Sequence, residues 1–121
     1  MQETNSLAPC PDSPNCVSSQ SLDTDHYIEP FSYSGTLAEC KEKLRALFTN
    51  QPRTHIVAET DSYLHIEISS LVFRFIDDVE FLIIDEQKLI HLRSASRTGY
   101  WDLGVNRKRI EALRTQFLQL P

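Results

Sequence analysis

Residues 79–95 read VEFLIIDEQKLIHLRSA, and this stretch decides the fold. Two stretches rich in apolar residues, at 79–84 and 89–95, flank the polar segment Asp85-Glu86-Gln87-Lys88. β-Branched and aromatic residues favour strands, and a short polar segment between two such runs favours a turn. We therefore predict two antiparallel strands joined by this turn.

A second hairpin is predicted on the N-terminal side of this stretch. Residues 54–60 and 63–69 flank Asp61-Ser62, which is typical of a hairpin turn. Within 63–69, Leu and Ile residues alternate with Tyr63, His65 and Glu67. This alternation predicts a strand with one apolar and one polar face.

The segment between the two hairpins allows two interpretations. Residues 71–76 and 79–84 flank Asp77-Asp78 and form either two strands or one strand with a bulge. A short edge strand is expected at 27–33, because the Pro30 within it is tolerated at an edge and not in the centre of a sheet.

Two helices complete the predicted elements. Thr36 and Glu39 form a capping-box pattern ahead of apolar residues at helical spacing, so a helix is expected from 37 to about 50, before Pro52. A second helix is expected from about 103 to 118, with an apolar stripe formed by Ile110, Leu113, Phe117 and Leu118.

The order of these elements predicts an α+β fold. A single antiparallel sheet of about five strands with two helices packed on one face satisfies the order strand, helix, strands, helix. Residues 1–25 are rich in Ser, Pro, Asn and Asp without periodicity, and we interpret them as an irregular N-terminal arm. The single α+β domain is then 26–121.

Composition excludes several classes of function. The net charge of −5 argues against nucleic acid as a partner. No apolar run approaches the roughly 20 residues of a membrane span, so no transmembrane segment is expected. The three glycines form no phosphate-binding loop, and we expect no cofactor and no metal.

The cysteines leave three interpretations open. Cys10 and Cys16 enclose a turn-rich stretch that brings its ends together, which favours a disulfide and with it an oxidising compartment. Free thiols are the next interpretation, and a zinc site is the weakest because a second pair of ligands is missing. Cys40 lies on the apolar face of the first predicted helix and is expected in the core.

Positive charge is concentrated near the C-terminus. Residues 93–114 hold six of the 12 Lys and Arg residues and two acids, a charge of +4, whereas residues 1–92 hold six basic and 15 acidic residues, a charge of −9. The segment 93–109 leaves a strand, turns at Gly99 and enters the C-terminal helix, whose start presents free N–H groups and a positive dipole end. Asp102 is the expected N-cap and Asn106 the second choice. The candidate ligand-binding residues are Arg93, Ser94, Ser96, Arg97, Tyr100, Asp102, Asn106, Arg107 and Arg109.

The leading functional hypothesis is a non-enzymatic module. It would bind an anionic small group, such as a carboxylate, a phosphate or a lipid headgroup, through guanidinium forks and helix N–H groups. In the structural alternative, the arginines pair with acids of neighbouring strands and lock the C-terminal helix to the sheet, or the surface docks a protein partner. The acids expected in these ion pairs are Asp77, Asp78 and Glu80.

A hydrolase-like enzyme is a weaker alternative. His65, Glu67 and His91 lie on the polar faces of predicted strands and are the candidate acid–base groups. Asp77 and Asp78 are adjacent in a strand, so their side chains point to opposite faces and do not form a carboxylate dyad. A Ser–His pair is conceivable, but no sequence feature selects one serine.

Three motifs resemble a known family. They are CPDSPNCVSS at 10–19, FRFIDDVEF at 73–81, and RSASRTGY at 93–100 with DLGVNRKRI at 102–110. In this order they resemble domain-of-unknown-function family 1499, and the resemblance covers nearly the whole chain. It implies no established activity. Many similar proteins look exported or membrane-anchored, which favours a periplasmic or envelope location and the Cys10–Cys16 disulfide; a cytoplasmic location follows if Met1 is the native start.

Overall fold

The computed structural model describes residues 6–69, 75–99 and 102–121. The described residues form two helices and six strands in one antiparallel sheet, which confirms the α+β class and adds one strand to the predicted five. The elements are β1 (Cys16–Ser18), β2 (Phe31–Ser32), α1 (Leu37–Ala46), β3 (Thr54–Glu59), β4 (Tyr63–Ser69), β5 (Ile76–Ile84), β6 (Leu89–Ser96) and α2 (Val105–Gln119).

The strand order is β1-β6-β5-β4-β3, and β2 pairs with β6 on the same side as β1. The hairpin of β5 and β6 is the one predicted from residues 79–95, with Ile84 opposite Leu89 across the four-residue turn. β5 runs through Asp77-Asp78 with neither a break nor a bulge, so residues 76–84 form one regular strand. The predicted strand residues 71–74 lie outside the described residues.

Both helices differ from their predicted bounds for local reasons. The capping box of Thr36 and Glu39 is present, as predicted, but α1 ends at Ala46 and the chain continues in turns to residue 50. α2 begins at Val105 and not near 103, because Leu103 and Gly104 both have left-handed backbone angles, with φ of 59° and 76°. A left-handed pair cannot be part of a right-handed helix.

The two faces of the sheet have different environments. Alternate residues of each strand point to the same side, so one face carries Leu64, Ile66, Val79, Phe81 and Leu92, all fully buried under the helices. We call this the helix-covered face; α1 and α2 contribute buried Leu44 and Ile110, among others, to the same core. The polar face is formed by His65, Glu67, Asp78, Glu80, His91 and Arg93.

The segment expected to be an irregular arm contains β1. Cys16–Ser18 pairs antiparallel with β6, with Val17 opposite Ser94, so part of the 1–25 segment belongs to the sheet. The predicted edge strand at 27–33 is reduced to Phe31–Ser32 and a single bridge between Ser18 and Tyr27. Cys10 and Cys16 form a disulfide that fastens the arm to β1, and Cys40 is buried in the core as expected.

Candidate functional site

The predicted ligand-binding residues of β6 are divided between the two faces of the sheet. Arg93 points to the polar face and lies opposite Glu80, whereas Ser94 is fully buried on the helix-covered face. The residues that looked like one surface in the sequence therefore form two groups. Tyr100 of the predicted set lies outside the described residues.

The group on the helix-covered face is centred on Asn106. Its side chain has no exposed surface; its Oδ1 accepts hydrogen bonds from Ser94 Oγ at 2.5 Å and from Arg109 Nη1 at 3.0 Å. Its Nδ2 lies within hydrogen-bond distance of Ser96 Oγ, at 3.0 Å, and of the Asn15 carbonyl, at 3.2 Å. Because buried amides are costly without partners, this network fixes the first turn of α2 on β6.

Asp102 stabilises the start of α2 without being its N-cap. The N-cap position is Gly104, which has no capping side chain. The Asp102 carboxylate instead accepts hydrogen bonds from two backbone N–H groups at the helix start. Its Oδ1 accepts from the Gly104 N–H at 2.8 Å, and its Oδ2 accepts from the Asn106 N–H at 3.1 Å. The carboxylate thus meets the free N–H groups at the positive end of the helix dipole, and the protein itself supplies an anion there.

Arg109 forms the ion pair that fastens α2 to the helix-covered face. Its Nη2 lies 2.8 Å from Asp77 Oδ2, and the two side chains are 19% and 12% exposed. The sequence predicted Asp77 as a partner for one of the arginines at positions 93, 97 or 107, and the partner is Arg109 instead. In the folded chain, α2 places residue 109 beside the first residues of β5.

On the polar face, Arg97 is held by two acids. Its Nε lies 2.8 Å from Asp78 Oδ2, and its Nη2 donates to Glu67. His65 Nε2 lies 2.7 Å from the other oxygen of Asp78. Burial acts to raise the pKa of Asp78, but the hydrogen bonds from Arg97 and His65 outweigh it and hold that pKa below its usual value. The same two acids raise the pKa of Arg97.

Arg93 has looser contacts on the same face. Its Nη1 is 3.7 Å from Glu80 Oε1, its Nη2 donates to the Pro9 carbonyl at 3.3 Å, and its buried Nε has no hydrogen-bond partner among the described residues. Glu80 also accepts a hydrogen bond from the Tyr63 hydroxyl. Burial and the nearby Glu80 carboxylate raise the pKa of Tyr63.

Arg107 forms no ion pair with a side-chain carboxylate among the described residues. It donates to the carbonyls of Tyr27, at 2.9 Å, and Asp25, at 3.2 Å, and so joins the first turn of α2 to the segment that precedes β2. A guanidinium with five donors satisfies several backbone carbonyls in this way.

The candidate acid–base residues are not brought together. His65 is bonded to Asp78, while His91 lies opposite Leu82 and bonds through Nδ1 to Ser19 Oγ at 2.9 Å. Burial lowers the pKa of His91. Sequence reasoning did not select Ser19. Its hydroxyl also accepts a hydrogen bond from the Leu92 N–H at 2.9 Å, so this side chain joins the N-terminal arm to β6. No carboxylate hydrogen-bonds His91 among the described residues.

A cleft lies between the end of α1, the start of β3 and the middle of α2. Its volume is about 230 Å³, and apolar side chains of Leu47, Phe48, Pro52, Ile68 and Leu113 form its walls. Arg109, from the predicted set, lines the cleft together with Arg53, which sequence reasoning missed. No acid lines the cleft among the described residues. In the sequence, the one notable neighbour of Arg53 is the preceding Pro52, so no sequence feature distinguished Arg53 from other surface arginines.

Arg53 has an unusual backbone conformation at the rim of this cleft. Its φ is 56°, and Asn50, on the other side of Gln51-Pro52, has a φ of 68°. Left-handed angles at non-glycine residues cost energy and are concentrated at ligand sites. Arg53 Nε donates to the Ser69 carbonyl at 3.1 Å, and no acid contacts its guanidinium among the described residues.

The described residues contain neither a metal-binding cluster nor a membrane-spanning helix. No group of three or more His, Cys, Asp or Glu side chains in the described ranges is arranged to hold a metal ion. Neither helix of the described part is long and apolar enough to cross a membrane.

Comparison with known proteins gives the family. A family model described as "Protein of unknown function (DUF1499)" matches residues 6–117, which is nearly the whole chain and contains the three quoted motifs. No curated protein matches the chain. The resemblance noted in the sequence is thereby confirmed, and the chain belongs to the DUF1499 family.

Proposed function

We propose that this protein is a non-enzymatic module that binds a small anionic group in the cleft between α1, β3 and α2. The observation that carries the proposal is the composition of this cleft, which combines apolar walls with Arg53 and Arg109 and has no acid among its described lining residues. Small-molecule sites are concave and mostly apolar, with a few polar groups that fix the orientation of the ligand. The proposal keeps Arg109 of the predicted set and adds Arg53.

Two of the other predicted arginines, Arg97 and Arg107, are engaged in internal contacts. Arg97 is bonded to Glu67 and Asp78, so an incoming anion there would have to compete with two carboxylates of the protein. Arg107 is bonded to backbone carbonyls that fasten α2 to the segment before β2. These contacts support the structural alternative for Arg97 and Arg107, while the ligand is assigned to the cleft.

Among the described residues that line the cleft, Arg53 has the greatest capacity to bind an anion. Its described contact is a neutral carbonyl, and its side chain is exposed at the cleft rim. Arginine presents two parallel N–H groups that match a carboxylate or phosphate oxygen pair. Gln51 and Gln116 also line the cleft, and their amides can donate to an anion beside Arg53.

Thermal unfolding in the presence of anionic probes tests this proposal. Acetate, hexanoate and inorganic phosphate are each compared with sodium chloride at the same ionic strength. A probe at about ten times its Kd stabilises the protein by about 1.4 kcal/mol, which is roughly a 4–6 °C rise in Tm for a domain of this size. We expect at least one probe to raise the Tm of the wild type and of Lys108→Gln, but not of Arg53→Gln.

Lys108→Gln is the matched control. Lys108 is exposed on α2 and does not line the cleft, so this variant removes the same charge without touching the site. The proposal is wrong if no probe raises the Tm above the chloride control, or if the rise is the same in Arg53→Gln and Lys108→Gln.

A further inference from the structure

The cleft carries a single uncompensated positive charge among its described residues. Arg109 is already neutralised, because Asp77 lies 2.8 Å from its Nη2 and Asn106 Oδ1 accepts from its Nη1. Within the described ranges, the hydrogen bond of the Arg53 side chain goes to the neutral Ser69 carbonyl, and no carboxylate contacts its guanidinium. A ligand with one negative charge balances this site, whereas a dianion would add an unbalanced negative charge to a protein whose net charge is already −5.

The apolar walls of the cleft favour a ligand that has an apolar part as well as a charged group. Leu47, Phe48, Pro52, Ile68 and Leu113 present apolar surface next to the arginines. A bare anion would leave that surface wet, whereas an alkyl chain would bury it. Each buried methylene strengthens binding by about fourfold.

The volume of the cleft limits the length of this chain. An apolar protein cavity of about 150 Å³ holds one benzene molecule, so a cleft of about 230 Å³ holds a ligand of roughly eight or nine non-hydrogen atoms. A carboxylate with a chain of about six carbons therefore fills the cleft.

From these three features, we infer that the ligand is a monoanionic carboxylate with a short apolar chain of about six carbons. The carboxylate contacts the Arg53 guanidinium at the rim, and the chain lies against the apolar walls between α1 and α2. This inference rests on the proposed function, because it specifies the class of ligand for the same cleft.

A chain-length series tests the inference by isothermal titration calorimetry on the full chain. Acetate, butanoate, hexanoate and decanoate vary the chain, hexanol removes the charge, and inorganic phosphate removes the chain. We expect Kd to fall by roughly threefold to fourfold per methylene up to hexanoate, and to stop falling by decanoate. Hexanol and phosphate should each bind at least tenfold more weakly than hexanoate.

Two variants separate the headgroup from the chain. Arg53→Gln should weaken hexanoate by tenfold or more and leave hexanol unchanged. Ala112→Phe places a ring in the cleft from an exposed position of α2, and it should weaken both hexanoate and hexanol while the protein remains folded. Lys108→Gln should bind every probe as the wild type does.

The outcomes distinguish the inference from the proposed function. If phosphate or acetate binds as tightly as hexanoate and the binding depends on Arg53, the inference is overturned and the proposed function stands. If no anion shows binding that depends on Arg53, both are overturned. If hexanol equals hexanoate, the charge has no role, and both are likewise overturned.

Discussion

Asp77 and Asp78 are neighbours in β5, yet each forms an ion pair with an arginine on a different face of the sheet. Asp77 lies 2.8 Å from Arg109 on the helix-covered face, and Asp78 lies 2.8 Å from Arg97 on the polar face. The alternation of side chains along a strand separates them, as the sequence predicted. One dipeptide therefore fastens α2 to the sheet and joins β5 to the residues just after β6.

The two acids should differ in their contribution to stability. Asp77→Asn leaves Arg109 without its carboxylate in a largely buried position, and we expect it to lower the free energy of unfolding by about 2–3 kcal/mol. Asp78→Asn should cost only about 1 kcal/mol, because the Arg97 side chain is 43% exposed and solvent screens the pair. Urea unfolding of both variants measures this difference. The reverse order would show that the polar face, and not α2, depends on this dipeptide.

The lowered pKa of Asp78 predicts the direction of a pH effect. Burial acts to raise this pKa, but the hydrogen bonds from Arg97 and His65 outweigh burial and keep the pKa below its usual value. The folded state therefore binds fewer protons than the unfolded state. The associated stability is complete above the unfolded pKa of about 3.9 and is lost as the pH falls through the folded pKa. Wild-type stability should therefore fall more steeply below about pH 5 than that of Asp78→Asn. Parallel acid profiles would contradict this assignment.

The left-handed conformation of Arg53 predicts a difference between two small substitutions. Glycine adopts a φ of 56° without strain, whereas alanine retains the strain. We expect Arg53→Gly to be more stable than Arg53→Ala by about 1 kcal/mol, although both variants lose hexanoate binding. Chemical unfolding without ligand, together with titration of hexanoate, checks both parts. Equal stability of the two variants would mean that this backbone is not strained.

The disulfide holds the arm against β1 by closing a short loop. For a loop of this length, loss of the bond should lower the free energy of unfolding by about 2 kcal/mol. Cys10→Ser/Cys16→Ser tests this value, and Cys40→Ser, which removes a buried thiol outside the loop, serves as a comparison. Thiol counting under denaturing, non-reducing conditions should find one reactive thiol per wild-type chain. Three reactive thiols would contradict the bond.

The sequence predicted the elements whose pattern is local. The hairpin at 79–95 and the capping box of α1 depend on neighbouring residues, and both are present. β1 was missed because three residues, Cys16–Ser18, show no periodicity, and their strand conformation depends on pairing with β6. Asp102 was recognised as a helix-start residue, but the left-handed Leu103 and Gly104 that shift α2 by two residues have no clear pattern in the sequence.

The candidate site was predictable only in part. Charge density selected the segment that contains Arg109, and the helix position of that residue is local information. The cleft itself is formed by three segments far apart in the chain, so no pattern of spacing joins Arg53 to Arg109. The engagement of Arg97 by two acids also depends on strand register, which places Glu67 opposite Asp78. Sequence reasoning therefore found the charged residues without distinguishing those with internal partners.

Mapping hexanoate onto the protein by ¹H–¹⁵N NMR is the most direct test of the cleft. The account predicts saturable shifts of the backbone amides at Gln51, Arg53, Thr54, Ala112 and Gln116, and no comparable shifts at Arg93 or Arg97 on the other side of the sheet. Shifts centred on Arg93 and Arg97, or no saturable shifts at all, would contradict the assignment of the ligand to this cleft.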